Sequence, residues 1–71
     1  MSGMKSITLL DGKSEPIHPR YRYKLPRSAL NRAVTLMMEG RRFVQIWDLA
    51  KGRMVAEVSR TITEIRIGVK R

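Results

Sequence analysis

Apolar residues between positions 28 and 39 recur at the spacing of one face of a helix. The i, i+3, i+4 and i+7 positions of this series are Leu30, Ala33, Val34 and Met37. The pattern predicts an amphipathic helix over residues 28–39, and Gly40 is its expected end. The start of the helix is open between two interpretations, because Ser28 suits the N-cap position and Pro26 suits the first helical turn.

After Gly40 the apolar period changes from helical spacing to alternation, which is typical of β-strands. Three runs alternate in this way: residues 43–49, residues 53–58 and Ile65–Val69. We expect them to form an antiparallel meander, since short segments separate them and each run has one apolar face.

The turn between the first two runs sets which side chains share a face. A three-residue turn over residues 50–52, with Gly52 left-handed, pairs Ile46 with Ala56 and Val44 with Val58. This register produces one apolar face, which consists of Val44, Ile46, Met54, Ala56 and Val58. A two-residue turn would place a different set on that face, and the three-residue turn is therefore preferred.

The residue pattern of the N-terminal third of the chain predicts two further strands. Residues 4–10 form a short apolar run that stops at the turn dipeptide of residues 11 and 12, and residues 11–19 are expected to be a loop. In residues 20–25 an aromatic and aliphatic face alternates with a cationic one. The predicted fold is therefore a single α+β domain over residues 1–71, with element order β-β-α-β-β-β and one helix packed on a mostly antiparallel sheet. The first three residues are expected to be an added or disordered extension.

Charge and composition exclude several classes of protein. The 71 residues include 15 Lys and Arg against 6 Asp and Glu, which gives a net charge of +9. The chain has no cysteine and one histidine, so a disulfide scaffold, a thiolate zinc site and a site of two imidazoles are excluded. No apolar run reaches the ~18 residues of a membrane span, and no secretory signal is evident, so we expect a cytoplasmic protein.

Nothing in the sequence indicates an enzyme, a metal site or a cofactor. His18 lies alone in a predicted loop, and the six carboxylates are scattered singly along the chain. The five glycines are isolated and form no phosphate-binding loop. We therefore interpret the protein as a binding module without catalytic residues.

The cationic face of residues 20–25 is the main candidate binding feature. Arg20, Arg22 and Lys24 alternate along this strand, and neighbours on one face of a strand lie ~6.8 Å apart, near the spacing of successive phosphates. A solvated edge strand and a patch for an acidic protein are the alternatives. The predicted nucleic-acid contacts, on DNA or RNA, are Arg20, Arg22, Lys24, Arg27, Asn31, Arg32, Arg41, Arg42, Arg53, Lys70 and Arg71. Among these, Asn31 and Arg32 on the polar face of the helix are the candidates for base contacts.

The preferred register places a second set of side chains on the opposite face of the hairpin. This set consists of Phe43, Gln45, Trp47, Val55 and Glu57. It is too apolar for a free surface, and three interpretations are open: cover by the N-terminal segment, a partner or homodimer interface, or a platform for unpaired bases. The predicted partner interface consists of Phe43, Trp47 and Val55.

Two functions from different classes follow. The first is a small basic nucleic-acid-binding accessory or regulatory protein that contacts phosphates through the cationic strand. The alternative is a non-enzymatic regulator or inhibitor that docks on an acidic protein surface through its basic and aromatic residues.

Overall fold

The computed structural model describes residues 5–70 and contains one helix and five strands in this range. The elements are β1 (Ile7–Leu10), β2 (Arg22–Tyr23), α1 (Pro26–Met38), β3 (Phe43–Asp48), β4 (Arg53–Arg60) and β5 (Ile65–Val69). All strand pairs are antiparallel and the sheet order is β2-β1-β3-β4-β5. The α+β prediction, its element order and its C-terminal meander are confirmed. The expectation for the first three residues lies outside the described range.

The pairing of β3 with β4 confirms the centre of the predicted register and corrects its end. Val44 lies opposite Val58 and Ile46 opposite Ala56. A register shift then follows, so that Trp47 lies opposite Met54 and the turn comprises residues 49–52. The three-residue turn and the place of Met54 on the apolar face were wrong. The physical reason is that the longer turn needs a bulge to restore the apolar pairing.

Asp48 explains why the longer turn is favoured. Its Oδ1 accepts the backbone N–H of Ala50 at 3.0 Å and of Lys51 at 3.2 Å. The carboxylate thereby satisfies two N–H groups that the turn would otherwise leave free. Gly52 adopts a φ of 64°, the left-handed conformation that the sequence predicts for it.

Helix α1 begins at Pro26, and its N-cap is Leu25 without a side-chain hydrogen bond. Of the two predicted starts, Pro26 in the first turn is confirmed and Ser28 as N-cap is wrong. The helix ends at Met38, and Gly40 follows the C-cap residue Glu39 with a φ of 116°. There the N–H of Gly40 donates to the Met37 carbonyl and the N–H of Arg41 to the Leu36 carbonyl, the two bonds of a Schellman motif.

The buried stripe of α1 is rotated relative to the predicted one. The buried helical residues are Ala29, Ala33, Leu36 and Met37. Leu30 and Val34, which the spacing placed at the centre of the stripe, are only half-buried at its flank. The two alanines have small side chains, so facing them toward the sheet allows the helix to approach it closely.

The core lies between α1 and one face of the sheet. Its largest fully buried side chains are Leu9, Met37, Ile46, Val44 and Val58. Strand β1 is shorter than predicted and is buried along its whole length, because it lies between β2 and β3 in the sheet. Within residues 5–70, no helix is long and apolar enough to cross a membrane.

Candidate nucleic-acid interface

Strand β2 holds the cationic segment at one edge of the sheet. Arg22 pairs with Thr8 and Tyr23 with Ile7, and the Thr8 hydroxyl donates to the Tyr21 carbonyl at 2.9 Å. The strand is only two residues long, so the predicted strand over residues 20–25 was too long. A turn precedes it, in which the N–H of Tyr21 donates to the His18 carbonyl.

Tyr21 and Tyr23 anchor this segment to the rest of the protein. Both are half-buried and pack against the core cluster. The Arg32 guanidinium lies over the Tyr21 ring, 5.5 Å from its centroid, within cation–π range. The neighbouring Tyr23 side chain raises the pKa of Arg32 above its ordinary value. The helix and the cationic segment are thus joined through Arg32, which stays positively charged.

A shallow concavity lies where β2 meets α1. It has a volume of about 210 Å³ and is lined by Tyr23, Ser28, Asn31, Arg32 and Thr35. The Thr35 hydroxyl donates to the Asn31 carbonyl at 3.1 Å and is thereby engaged within the helix. The amide of Asn31, the guanidinium of Arg32 and the hydroxyl of Ser28 are lining groups that can hydrogen-bond a ligand.

Six of the predicted nucleic-acid contacts lie on the β2 segment and on the first half of α1, which packs beside it, and we call this set the cationic surface. Its members are Arg20, Arg22, Lys24, Arg27, Asn31 and Arg32, and all are exposed. No salt bridge within 4.0 Å involves them in the described part of the chain, and the first turn of α1 contains no acidic residue. Five positive charges are therefore available to a polyanion.

The remaining predicted contacts lie elsewhere. Arg53 is paired with Asp48, which is paired with Ile7, which is paired with Tyr23 of β2. Three strand spacings therefore separate Arg53 from β2, a distance of roughly 14 Å. Lys70 lies beside the start of β4, and its Nζ is 3.7 Å from Glu57 Oε1. Arg71 is outside the described residues.

Arg41 and Arg42 follow the C-terminal end of α1, so the length of the helix separates them from the cationic surface. Arg42 lines a second cavity of about 680 Å³, together with Gly40, Arg60, Thr61, Ile62 and Thr63. Arg60 was not among the predicted residues. Its Nη1 donates to the Met37 carbonyl at 2.7 Å, and no sequence pattern indicates this long-range contact.

The predicted partner interface is partly covered by the N-terminal loop. The Trp47 Nε1–H donates to Gln45 Oε1 at 2.7 Å, and Gln45 Nε2 donates to the Asp11 carbonyl at 3.1 Å. A Cβ placed on Gly12 would lie 3.6 Å from the Phe43 ring. Phe43 and Trp47 are both half-buried, and the contacts of the loop with Gln45 and Phe43 agree with the first of the three interpretations for that part of the face.

Val55 does not join Phe43 and Trp47. It lies at the register shift of β4, where no β3 residue is opposite it, and it packs against the core cluster beneath α1. The placement of Val55 on the second face was therefore wrong. A bulge residue and its C-terminal neighbour face the same side of a sheet, and the neighbour Ala56 is buried on the helix side.

The side chain of His18 makes local contacts with the residues that follow it in the chain. Its Nδ1 accepts the backbone N–H of Arg20 at 3.1 Å, and its ring centroid is 5.2 Å from that of Tyr21. Within residues 5–70, no cluster of three or more His, Cys, Asp or Glu side chains could hold a metal ion.

A comparison with known proteins found no protein family, curated protein or solved structure that matches the chain.

Proposed function

We propose that the protein is a small cytoplasmic nucleic-acid-binding accessory protein that contacts phosphates through the cationic surface. The observation that supports this proposal is the clustering of five unpaired cations, Arg20, Arg22, Lys24, Arg27 and Arg32, around β2 and the start of α1. Cations that form no salt bridge retain most of their attraction for a polyanion.

The cations and the polar helix residues would have separate roles. Arginine and lysine neutralise phosphates and release counterions, which gives affinity without sequence preference. Asn31 and Arg32 line the concavity at the centre of the surface, and these side-chain types hydrogen-bond base edges. Phosphate contacts would position the protein, and these two residues would supply what base preference it has.

Salt dependence of binding tests the proposal. We expect the wild-type protein to bind duplex DNA, single-stranded DNA or RNA with a steep dependence of log K on log salt. Replacing Arg20, Arg22 and Lys24 together by Ser should lower the slope on duplex DNA by up to about three, since each lost phosphate contact removes ~0.9. Fluorescence anisotropy over a salt series measures both the affinity and the slope.

A charge-matched variant provides the control. Replacing Lys13, Lys51 and Arg53 by Ser removes the same number of positive charges from exposed positions that form no salt bridge in the described part of the chain and lie outside the cationic surface. This control should retain a slope close to that of the wild type. Equal losses in both variants would show that binding responds only to net charge, and an unchanged slope in the first variant would show that its strand is a solvated edge. Failure of the wild type to bind at low salt would contradict the whole proposal.

The alternative, a regulator that docks on an acidic protein surface, draws on the same positive charge. Its aromatic anchor would be Trp47 with Phe43. Trp47 is half-buried and its indole N–H is already engaged by Gln45, so only part of the indole is open to a partner. The side chains of the cationic surface are exposed, and for this reason nucleic-acid binding is the preferred function.

A further inference from the structure

Strand β5 leaves an apolar stripe exposed at the edge of the sheet opposite β2. Its three apolar residues Ile65, Ile67 and Val69 are 36%, 47% and 68% exposed. They alternate along the strand and therefore share one face. Three adjacent exposed β-branched side chains on an edge strand favour association with another strand.

The stripe lies on the side of the sheet that carries α1. Ile67 is opposite Val58 and Val69 is opposite Ala56, and both of these β4 residues are buried in the core. The helix contacts the sheet mainly through β2, β1, β3 and β4, and β5 lies beyond these strands in the sheet. The stripe therefore continues the core face beyond the reach of the helix.

The unpaired backbone groups of β5 belong to the same three residues. The N–H of Lys70 donates to the Val55 carbonyl of β4. Because the bonding direction alternates along an antiparallel strand, Arg66 and Gly68 also bond toward β4. Ile65, Ile67 and Val69 consequently direct their N–H and carbonyl groups to the open edge.

We propose that a second copy of this chain pairs with β5 antiparallel, about a two-fold axis at Ile67. In this register Ile67 faces Ile67 of the partner subunit, and Ile65 faces Val69 of the partner subunit. These residues carry the outward backbone groups, so each such pair exchanges two N–H···O=C bonds. The two apolar stripes meet across the two-fold axis and form one continuous apolar surface. The same residues of both subunits contribute to it, as an isologous interface requires.

The charges along β5 are complementary in the same register. Glu64 and Lys70 lie equally far from Ile67 on either side, so each Glu64 faces Lys70 of the partner subunit. Arg66 faces Gly68 of the partner subunit, where the absence of a side chain leaves room for the guanidinium. A strand with Glu at one end and Lys at the other matches its own antiparallel copy, and opposite charges placed across a strand pair stabilise it.

Five of the fifteen cations of each chain lie far from this contact. The cationic surface lies at the β2 edge, and the sheet order places β2 and β5 at opposite edges. Nine strand spacings would separate the two β2 strands of the dimer, roughly 43 Å in an untwisted sheet. This greatly exceeds the Debye length of ~8 Å at physiological salt.

Sedimentation of the full-length protein without nucleic acid tests the proposal independently of the proposed function. We expect a monomer–dimer equilibrium that Ile67→Lys shifts to monomer, because two lysines would meet on the axis. Ile62→Lys makes the same charge change at a fully exposed position outside the strand and should leave the equilibrium within about threefold of the wild type. A wild-type protein that stays monomeric at all concentrations would overturn the proposal, as would a dimer that Ile67→Lys does not weaken.

Cysteine cross-linking tests the register, and the chain has no native cysteine to interfere. Hydrogen-bonded opposite residues have Cα atoms ~5.5 Å apart, which a disulfide can span. Ile67→Cys should therefore form a covalent dimer under mild oxidation at least about tenfold faster than Val69→Cys, whose two copies would lie ~14 Å apart. Val69 is the more exposed position, so random collision predicts the opposite order. Equal or faster cross-linking of Val69→Cys would overturn the two-fold at Ile67.

Discussion

Arg60 joins the end of β4 to the end of the helix, and its replacement by Gln should destabilise the protein without weakening nucleic-acid binding. Its Nη1 donates to the Met37 carbonyl at 2.7 Å, and its backbone N–H donates to the Arg42 carbonyl at 2.9 Å. The Met37 carbonyl lies in the last turn of α1, where a positive charge also favours the helix dipole. The substitution removes the guanidinium and leaves the backbone bond in place.

The magnitude follows from these two contributions. A hydrogen bond from a charged donor contributes about 1.5–3 kcal/mol, and the lower end applies because Arg60 is exposed overall. The helix dipole adds about 0.3–1 kcal/mol at an exposed position. We expect a loss of about 2 kcal/mol, which corresponds to a decrease in Tm of roughly 8–16 °C for a domain of this size.

Thermal unfolding followed by circular dichroism measures this loss, and Arg66→Gln is the matched control. Arg66 carries the same charge and contacts Glu64 at 2.8 Å, but both side chains are more than half exposed. Exposed pairs contribute about 0–1 kcal/mol, so this control should change Tm by only a few degrees. Equal melting temperatures for the two variants would refute the reasoning, and so would a lower salt slope of nucleic-acid binding for Arg60→Gln.

Two further predictions concern the cover over the second face of the sheet. The Asp11 carboxylate accepts the N–H groups of Glu15 and Lys13, and these hydrogen bonds lower its pKa. Its contribution to loop stability is therefore complete at neutral pH and is lost as the pH falls below about 4. Trp47 fluorescence should report this acid transition in the wild type, and a transition of the same size in Asp11→Asn would contradict the assignment. Trp47→Ala should lower the free energy of unfolding by about 2 kcal/mol, because aromatic packing and the hydrogen bond to Gln45 are lost. Chemical denaturation measures this loss. An unchanged stability would instead support a free aromatic anchor for a protein partner.

The periodic parts of the fold could be predicted from the sequence because they depend on local spacing. The change from helical to alternating period at Gly40 fixed the helix, the meander and the end of the helix. The pairing of Val44 with Val58 followed from the requirement that one face be apolar. The bulge at Val55 did not follow, since it depends on the Asp48 carboxylate stabilising a longer turn.

The sequence indicated which residue types form the candidate site but not which of these residues lie together. The alternation of Arg20, Arg22 and Lys24 with tyrosines was visible along the chain, because charge and spacing are properties of the sequence. The contact that joins this segment to Arg32 depends on β2 pairing with β1 and on the helix crossing beside it. The separation of Arg41 and Arg42 from the cationic surface depends likewise on the direction of the helix.

The amino-acid sequence by itself thus determined which segments are helix and strand, the large positive charge and the absence of cysteine chemistry, since these depend on local spacing and composition. Tertiary structure decided which cations share a surface and that Arg60 serves the helix end. It also decided that β5 is the open edge of the sheet. These features are contacts and placements that join distant parts of the chain, and they form only when the strand order brings those parts together.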